Sequence, residues 1–202
     1  LLTMLLGFGT PMAATVAVFH IINHLTFKAA LFMSAGIVDH ETHTRDIKRL
    51  GGLASLMPIT ALIAVVAALS MAGIPPLNGF MSKEMMLEEV AHTHWWGGTW
   101  PIIIVATAGA MLSVAYCFRF IGHTFFGPVR DDYPHHPHDP PAGMLAAPAF
   151  LAVMVVAIGL FPSLIAGPIV DVASAAVTGG TAEHVHLKLW HGVTLALIMS
   201  IV

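Results

Sequence analysis

Long apolar runs separated by short polar loops are the feature that most limits how this chain can fold. Of its 202 residues, 57% are hydrophobic and only 9% are charged, whereas a soluble domain has about 25% charged residues. A bilayer core about 30 Å thick needs about 20 apolar residues for each helix that crosses it. The sequence therefore predicts an all-α, polytopic transmembrane helix bundle.

The apolar runs place the expected helices within a single membrane domain, 1–202. Because the chain begins without Met and ends within an apolar run, we expect it to be a fragment of a longer protein. The single Cys117 excludes a disulfide framework, a thiolate zinc site and a self-contained iron–sulfur cluster. The approximate spans expected are 1–8 as the tail of a preceding helix, 12–38, 54–92 broken near 73–79, 100–126, 144–170, and a truncated span at 189–202.

Three ionisable side chains lie four residues apart inside the first full span. On a helix, this spacing puts His20, His24 and Lys28 on one stripe about 12 Å long. Ionisable groups at membrane depth usually face a bundle interior or a water-filled cavity, and they often mark ion or proton routes. An imidazole can accept a proton on one nitrogen while it donates from the other. The stripe therefore predicts a proton path.

Two other interpretations of this stripe remain open. Each side chain could be structural, bonded to backbone carbonyls or paired with a carboxylate on a helix outside this chain. His20 and His24 could instead share a metal ion, as histidines at i and i+4 do. The next group on the stripe is a lysine rather than an acidic or thiolate ligand, which disfavours a metal. We expect no metal site.

A proline pair predicts a break in the second span. Neither proline has an N–H to donate, so two carbonyls one turn earlier lose their helical partners. In lipid, such groups must find protein or water, and unwound backbone in transporter helices lines cavities. The elements of this predicted broken helix are Gly73, Pro75, Pro76 and Gly79.

Charged and polar residues follow the break. Lys83 is predicted to be the next residue of the proton path. The alternative is a simple proline kink, with the lysine side chain snorkelling to the headgroups. Ser82 and Glu84 are secondary candidates, and the glutamate could be a proton antenna or part of a solvated face.

Histidines and arginines also occur where spans meet loops. Arg119 and His123 end the third span, where they could contact lipid headgroups or relay protons to the surface. The loop histidines His135, His136 and His138 could be plain solvated residues, a surface metal site or a pH sensor.

Two segments resemble a known family. The stretches "HIINHLTFKAALFMSAGIVDHETHTRDIKRLGGL" and "AALSMAGIPPLNGFMSKEMMLEE" resemble the proton-conducting antiporter-like subunits shared by respiratory complex I and the Mrp-type Na⁺/H⁺ antiporters. The motifs "SKE", "FFGP" and "LKLWHG" are most similar to those of the large Mrp subunit, the one designated A. This resemblance implies that Lys28 and Lys83 are the family's intramembrane lysines. It also implies that His20 and His24 link the proton half-channels.

The resemblance implies a transporter subunit rather than an enzyme. Its ions would be H⁺ and Na⁺, with no cofactor, and its partners would be the lipid bilayer and other small membrane subunits, with no nucleic acid. The implied location is the bacterial plasma membrane. Three alternatives stay open: a proton-pumping subunit of NADH:quinone oxidoreductase, a divalent-metal transporter, and a non-conducting scaffold.

Overall fold

In a computed structural model of the chain, every regular element is helical over the described residues, 2–93, 100–130, 133–134, 136–180 and 196. This agrees with the predicted all-α class. The predicted span 189–202 lies outside this part except for Ala196. The helices are α1 (Leu2–Phe8), α2 (Pro11–Thr42), α3 (Pro58–Ala72), α4 (Asn78–His92), α5 (Trp100–Thr124), α6 (Ala142–Leu160), α7 (Pro162–Ile165) and α8 (Gly167–Thr178).

Helix α2 is the centre of the bundle. It packs against α1, α3, α4, α6 and α8. Thr10 caps its start by accepting a hydrogen bond from the N–H of Ala13 at 3.0 Å, and Pro11 takes the first helical position. Its end lies at a left-handed His43, whose N–H bonds the carbonyl of Asp39. The helix has 32 residues and is about 48 Å long, more than a bilayer core requires.

Helices α3 and α4 are two halves separated by a non-helical turn. Gly73 ends α3 with φ of 87°, a left-handed conformation that favours glycine. A turn containing the cis Pro75–Pro76 bond follows, and α4 starts at Asn78. The first half begins at Pro58 rather than at residue 54, because residues 53–55 form a separate 3₁₀ turn. With 15 residues, α3 spans about 22 Å and is too short to cross a bilayer alone.

Two glycines allow the broken helix to pack closely. A Cβ on Gly79 would collide with the carbonyl oxygen of Ser70, and one on Gly159 would collide with that of Pro76. Gly159 belongs to α6, so α6 packs directly on the backbone of the break. This glycine was not predicted from the sequence to be part of the broken helix.

The expected span 144–170 forms separate helices. Helix α6 ends at Leu160, and Phe161 leaves helical geometry with φ of −128° and ψ of 57°. Pro162 and Pro168 have no N–H to continue the helical ladder, so two shorter helices, α7 and α8, follow. Helices α2, α5 and α6 are long and apolar enough to cross a membrane.

Candidate functional site

His20 joins α2 to the second half of the broken helix. Its Nδ1 lies 3.1 Å from Oγ of Ser82 on α4. The Ser82 hydroxyl also lies 3.3 Å from the carbonyl of Gly79, and when it donates there its oxygen accepts from Nδ1–H of His20. The other ring nitrogen of His20 is then left able to accept a proton. The neighbouring ring, that of His24, has its centroid 5.7 Å from that of His20.

Lys28 continues the stripe beside aromatic rings. Its Nζ lies 5.6 Å from the ring centroid of Tyr116 and 5.7 Å from that of Phe32, within the range of cation–π attraction. In the part of the chain that the structure describes, no carboxylate pairs with Lys28. The ring of His24 meets Phe27 edge to face at 5.3 Å. Aromatic rings rather than acids therefore surround this end of the stripe.

Lys83 is buried in the bundle and does not snorkel to a surface. Its side chain is 6% exposed, and its Nζ donates to the carbonyl of Ala72 at 2.8 Å and, more weakly, to that of Ala110 at 3.5 Å. The snorkelling alternative is thus wrong for this structure. A Cβ on Gly73 would lie 2.8 Å from Cδ of Lys83, so the lysine stem packs across the glycine that ends α3.

The contact with Ala72 explains how the break tolerates a lysine. Pro76 has no N–H to satisfy this carbonyl, which belongs to the last residue of α3. The C-terminal end of a helix carries partial negative charge, which favours a cation. Nζ of Lys83 supplies the missing hydrogen bond and, when protonated, the favourable charge.

One cavity connects the four residues of the predicted path. It has a volume of about 410 Å³, enough for several water molecules, and the hydroxyl-bearing Ser70 and Ser113 also line it. The predicted path residues on its wall are His20, His24, Lys28 and Lys83.

Other predicted residues lie elsewhere. Glu84 is 3% exposed, so it is not part of a solvated face. Arg119 and His123 are exposed at the end of α5, where Nδ1 of His123 bonds the carbonyl of Arg119 at 3.0 Å. They line a separate cavity of about 330 Å³ together with Arg130.

The histidine-rich loop contacts the end of α2. Nδ1 of His138 lies 2.9 Å from one oxygen of Glu41, and Nδ1 of His40 lies 3.0 Å from the other. His136 is exposed, and His135 lies outside the described residues. The buried Glu41 (9% exposed) was not predicted, although its place in "DHETH" beside two histidines was a possible signal.

The same loop caps α3. The carboxylate of Asp139 accepts hydrogen bonds from the N–H of Ile59 at 3.0 Å and from the N–H and hydroxyl of Thr60 at 2.9 and 2.8 Å. This cap was not predicted, because the aspartate lies about 80 residues along the chain from the helix that it stabilises.

A discontinuous helix beside a cavity lined by histidines and lysines defines the chain as part of a polytopic membrane transporter-like fold. The family model for "NADH:quinone oxidoreductase/Mrp antiporter, TM" matches residues 1–113. The chain belongs to this family, and the matched range contains all four path residues.

Curated relatives agree with the resemblance to the large Mrp subunit. A protein of Rhizobium meliloti (strain 1021), named as the probable A/B subunit of a K(+)/H(+) antiporter, is 48% identical over 100% of this chain and 20% of that protein. The A1 subunit of a Na(+)/H(+) antiporter of Staphylococcus haemolyticus (strain JCSC1435) is 45% identical over 93% of this chain and 24% of its own length. The chain thus spans about a fifth to a quarter of these relatives.

Solved structures show the same fold. A chain of the Mrp complex from Dietzia sp. DQ12-45-1b superposes with a TM-score of 0.82 and 35% identity, over 99% of this chain and 21% of that one. A chain of respiratory complex I from Thermus thermophilus superposes with a TM-score of 0.59 and 26% identity, over 77% and 36% of the two chains. The predicted resemblance to the antiporter-like family is confirmed.

Proposed function

We propose that this chain is the proton-conducting part of a subunit of a multisubunit monovalent cation/H⁺ antiporter. The observation that carries the proposal is the single cavity lined by His20, His24, Lys28 and Lys83. The names of the two relatives support antiport of H⁺ against Na⁺ or K⁺. The subunit transports ions and catalyses no covalent chemistry.

The proton moves between the stripe on α2 and the lysine on α4. Water in the cavity bridges groups that are too far apart for direct hydrogen bonds. His20 takes up a proton on the ring nitrogen that does not face Ser82, and it releases the proton on Nδ1, the nitrogen that faces Ser82. Lys28 and Lys83 share this cavity, so a charge on one disfavours a charge on the other. A proton entering at one lysine therefore promotes release at the other.

The subunit works in the bacterial plasma membrane with other small membrane subunits. The Staphylococcus and Rhizobium relatives are named as subunits, and the Dietzia structure is a complex. A second candidate is a proton-pumping subunit of NADH:quinone oxidoreductase, which the likeness to complex I favours. Identification of the co-purifying subunits separates the two, because only the second would bring NADH dehydrogenase subunits.

The proposal is tested in liposomes that contain the whole complex. A Na⁺ or K⁺ gradient is imposed, and proton movement is followed with a pH-sensitive dye. We expect exchange in the wild type and none above background in Lys28→Ala. Lys48→Ala, which removes an exposed loop lysine, is the matched control and keeps wild-type exchange. Wild-type exchange in Lys28→Ala at equal incorporation would refute the proposal.

A further inference from the structure

Four polar side chains from three helices meet at the start of α4. The amide nitrogen of Asn78 donates to Oδ1 of Asn23 at 3.1 Å and to Oγ1 of Thr26 at 3.0 Å. Its Oδ1 accepts from the hydroxyl of Ser70 at 2.6 Å. Asn23, Ser70 and Asn78 are each 0% exposed. We call these four residues the asparagine clamp.

The hydrogen bonds of the asparagine clamp tie the side chain of Asn78 to both neighbouring helices. Both amide hydrogens of Asn78 are used toward α2, and its oxygen is used toward α3. Thr26 donates its own hydrogen to the carbonyl of Asn23 at 2.7 Å, so its oxygen is left to accept. The clamp therefore fixes the position of the Asn78 side chain between α2 and α3.

Helix α4 depends on this clamp because it has no cap of its own. Leu77 occupies the N-cap position and forms no side-chain hydrogen bond there. The N–H of Gly79 instead donates to Oγ of Ser70 at 3.0 Å, so a residue of α3 caps α4. In lipid, an uncapped and buried helix start would leave this donor without a partner.

The clamp lies about one turn before Ser82, which contacts His20, and Lys83, which lines the cavity. Ser82 and Lys83 follow Asn78 by four and five residues on the same rigid helix, so a rotation or shift at Asn78 moves both. We propose that Asn78, held by its three clamp partners, is a positioning residue. Its effect on transport rests on the proposed function. It sets Ser82 against His20 and Lys83 against the carbonyl of Ala72.

The test compares two threonine variants that each lose one hydroxyl. Thr26→Val removes a clamp hydroxyl with little change of shape. Thr107→Val is the matched control, because Oγ1 of Thr107 in α5 has no hydrogen-bond partner among the described residues. Asn78→Ala removes the centre of the clamp. All three are made in the full complex, and membrane insertion is quantified.

Two readouts separate this proposal from the proposed function. The first is cation/H⁺ exchange. The second is cross-linking between positions 20 and 82, measured in a variant that combines His20→Cys and Ser82→Cys with Cys117→Ala. The quantity recorded is the fraction of chains in which a short bifunctional thiol reagent joins the two introduced thiols. The cross-linking readout reports the approach of α4 to α2 and needs no transport. We expect Thr26→Val to lower exchange and the cross-linked fraction by about fivefold, the ratio that loss of its one bond to Asn78 gives.

The outcomes are decisive for the clamp. A lowered cross-linked fraction in Thr26→Val, with no such loss in Thr107→Val, supports positioning, even if the wild type shows no exchange and the proposed function fails. An unchanged cross-linked fraction in Thr26→Val overturns the positioning role, and so does an equal loss in Thr107→Val. If Asn78→Ala does not insert, Thr26→Val alone decides.

Discussion

Nζ of Lys83 donates a 2.8 Å hydrogen bond to the carbonyl of Ala72, the last residue of the first half-helix. A buried lysine is thus held by the carbonyl that Pro76 leaves without a helical partner. The contact ties the position of the lysine to the shape of the break. Each change that alters the break should therefore alter the site.

Gly73→Ala should disturb Lys83 directly. The residue has φ of 87°, and the added Cβ would lie 2.8 Å from Cδ of Lys83. We expect a loss of about 1–2 kcal/mol in the free energy of unfolding from the left-handed backbone alone, together with reduced exchange. Thermal unfolding of the complex measures the first effect. Gly36→Ala, where the added Cβ meets nothing within 4 Å, should match the wild type, and equal melting of both variants would contradict the prediction.

Gly159→Ala should separate α6 from the break. Its Cβ would collide with the carbonyl oxygen of Pro76, and overpacking of this kind costs about 1–3 kcal/mol. We expect lower thermal stability and less assembled complex in the membrane. Gly143→Ala lies in the same helix and has open space around it. Comparable assembly of the two variants would show that this close approach is not required.

Ser82→Ala should slow exchange without preventing folding. It removes the hydroxyl that lies 3.1 Å from Nδ1 of His20, so the histidine loses its hydrogen-bond partner on α4. Loss of a hydrogen bond with a net contribution of about 1 kcal/mol corresponds to roughly a fivefold lower rate of exchange. Ser82→Thr keeps the hydroxyl and should restore most of the rate. The initial rate of dye-reported proton movement measures both, and a wild-type rate in Ser82→Ala would count against the contact.

Asp139→Ala should loosen the start of α3. The carboxylate caps this helix through Ile59 and Thr60, and loss of such a cap costs about 0.5–2 kcal/mol. We expect a lower melting temperature and faster proteolysis of the loop before α6. Asp139→Asn keeps one acceptor oxygen and should fall between the wild type and the alanine variant. No change in either measurement would mean that the cap contributes nothing to stability.

The sequence predicted contacts within a helix better than contacts between helices. Four-residue spacing was enough to align His20, His24 and Lys28, because neighbours on one helix follow from its period alone. The proline pair likewise predicted the break. The partners across helices could not be predicted in this way: His20 meets Ser82, 62 residues away, only because of the register in which α2 packs on α4.

The burial of Lys83 shows the same limit of periodicity. Counting residues along the span allowed this lysine to be either deep or at a surface. Its position follows from the turn at Gly73 and from the close packing of Gly79 on Ser70, which bring the start of the second half-helix beside the end of the first. That packing is a tertiary feature, which an apolar pattern along the chain does not contain.

Cation/H⁺ exchange by Lys83→Arg and Lys28→Arg measures whether protons pass through the two lysines. Arginine keeps the positive charge and the ability to donate to the carbonyl of Ala72, but it does not release its proton in proteins. If protons pass through these lysines, both variants should insert and assemble, yet show no cation-driven proton movement in liposomes. Wild-type exchange in both arginine variants would show that protons do not pass through these lysines, because a fixed charge would then be sufficient.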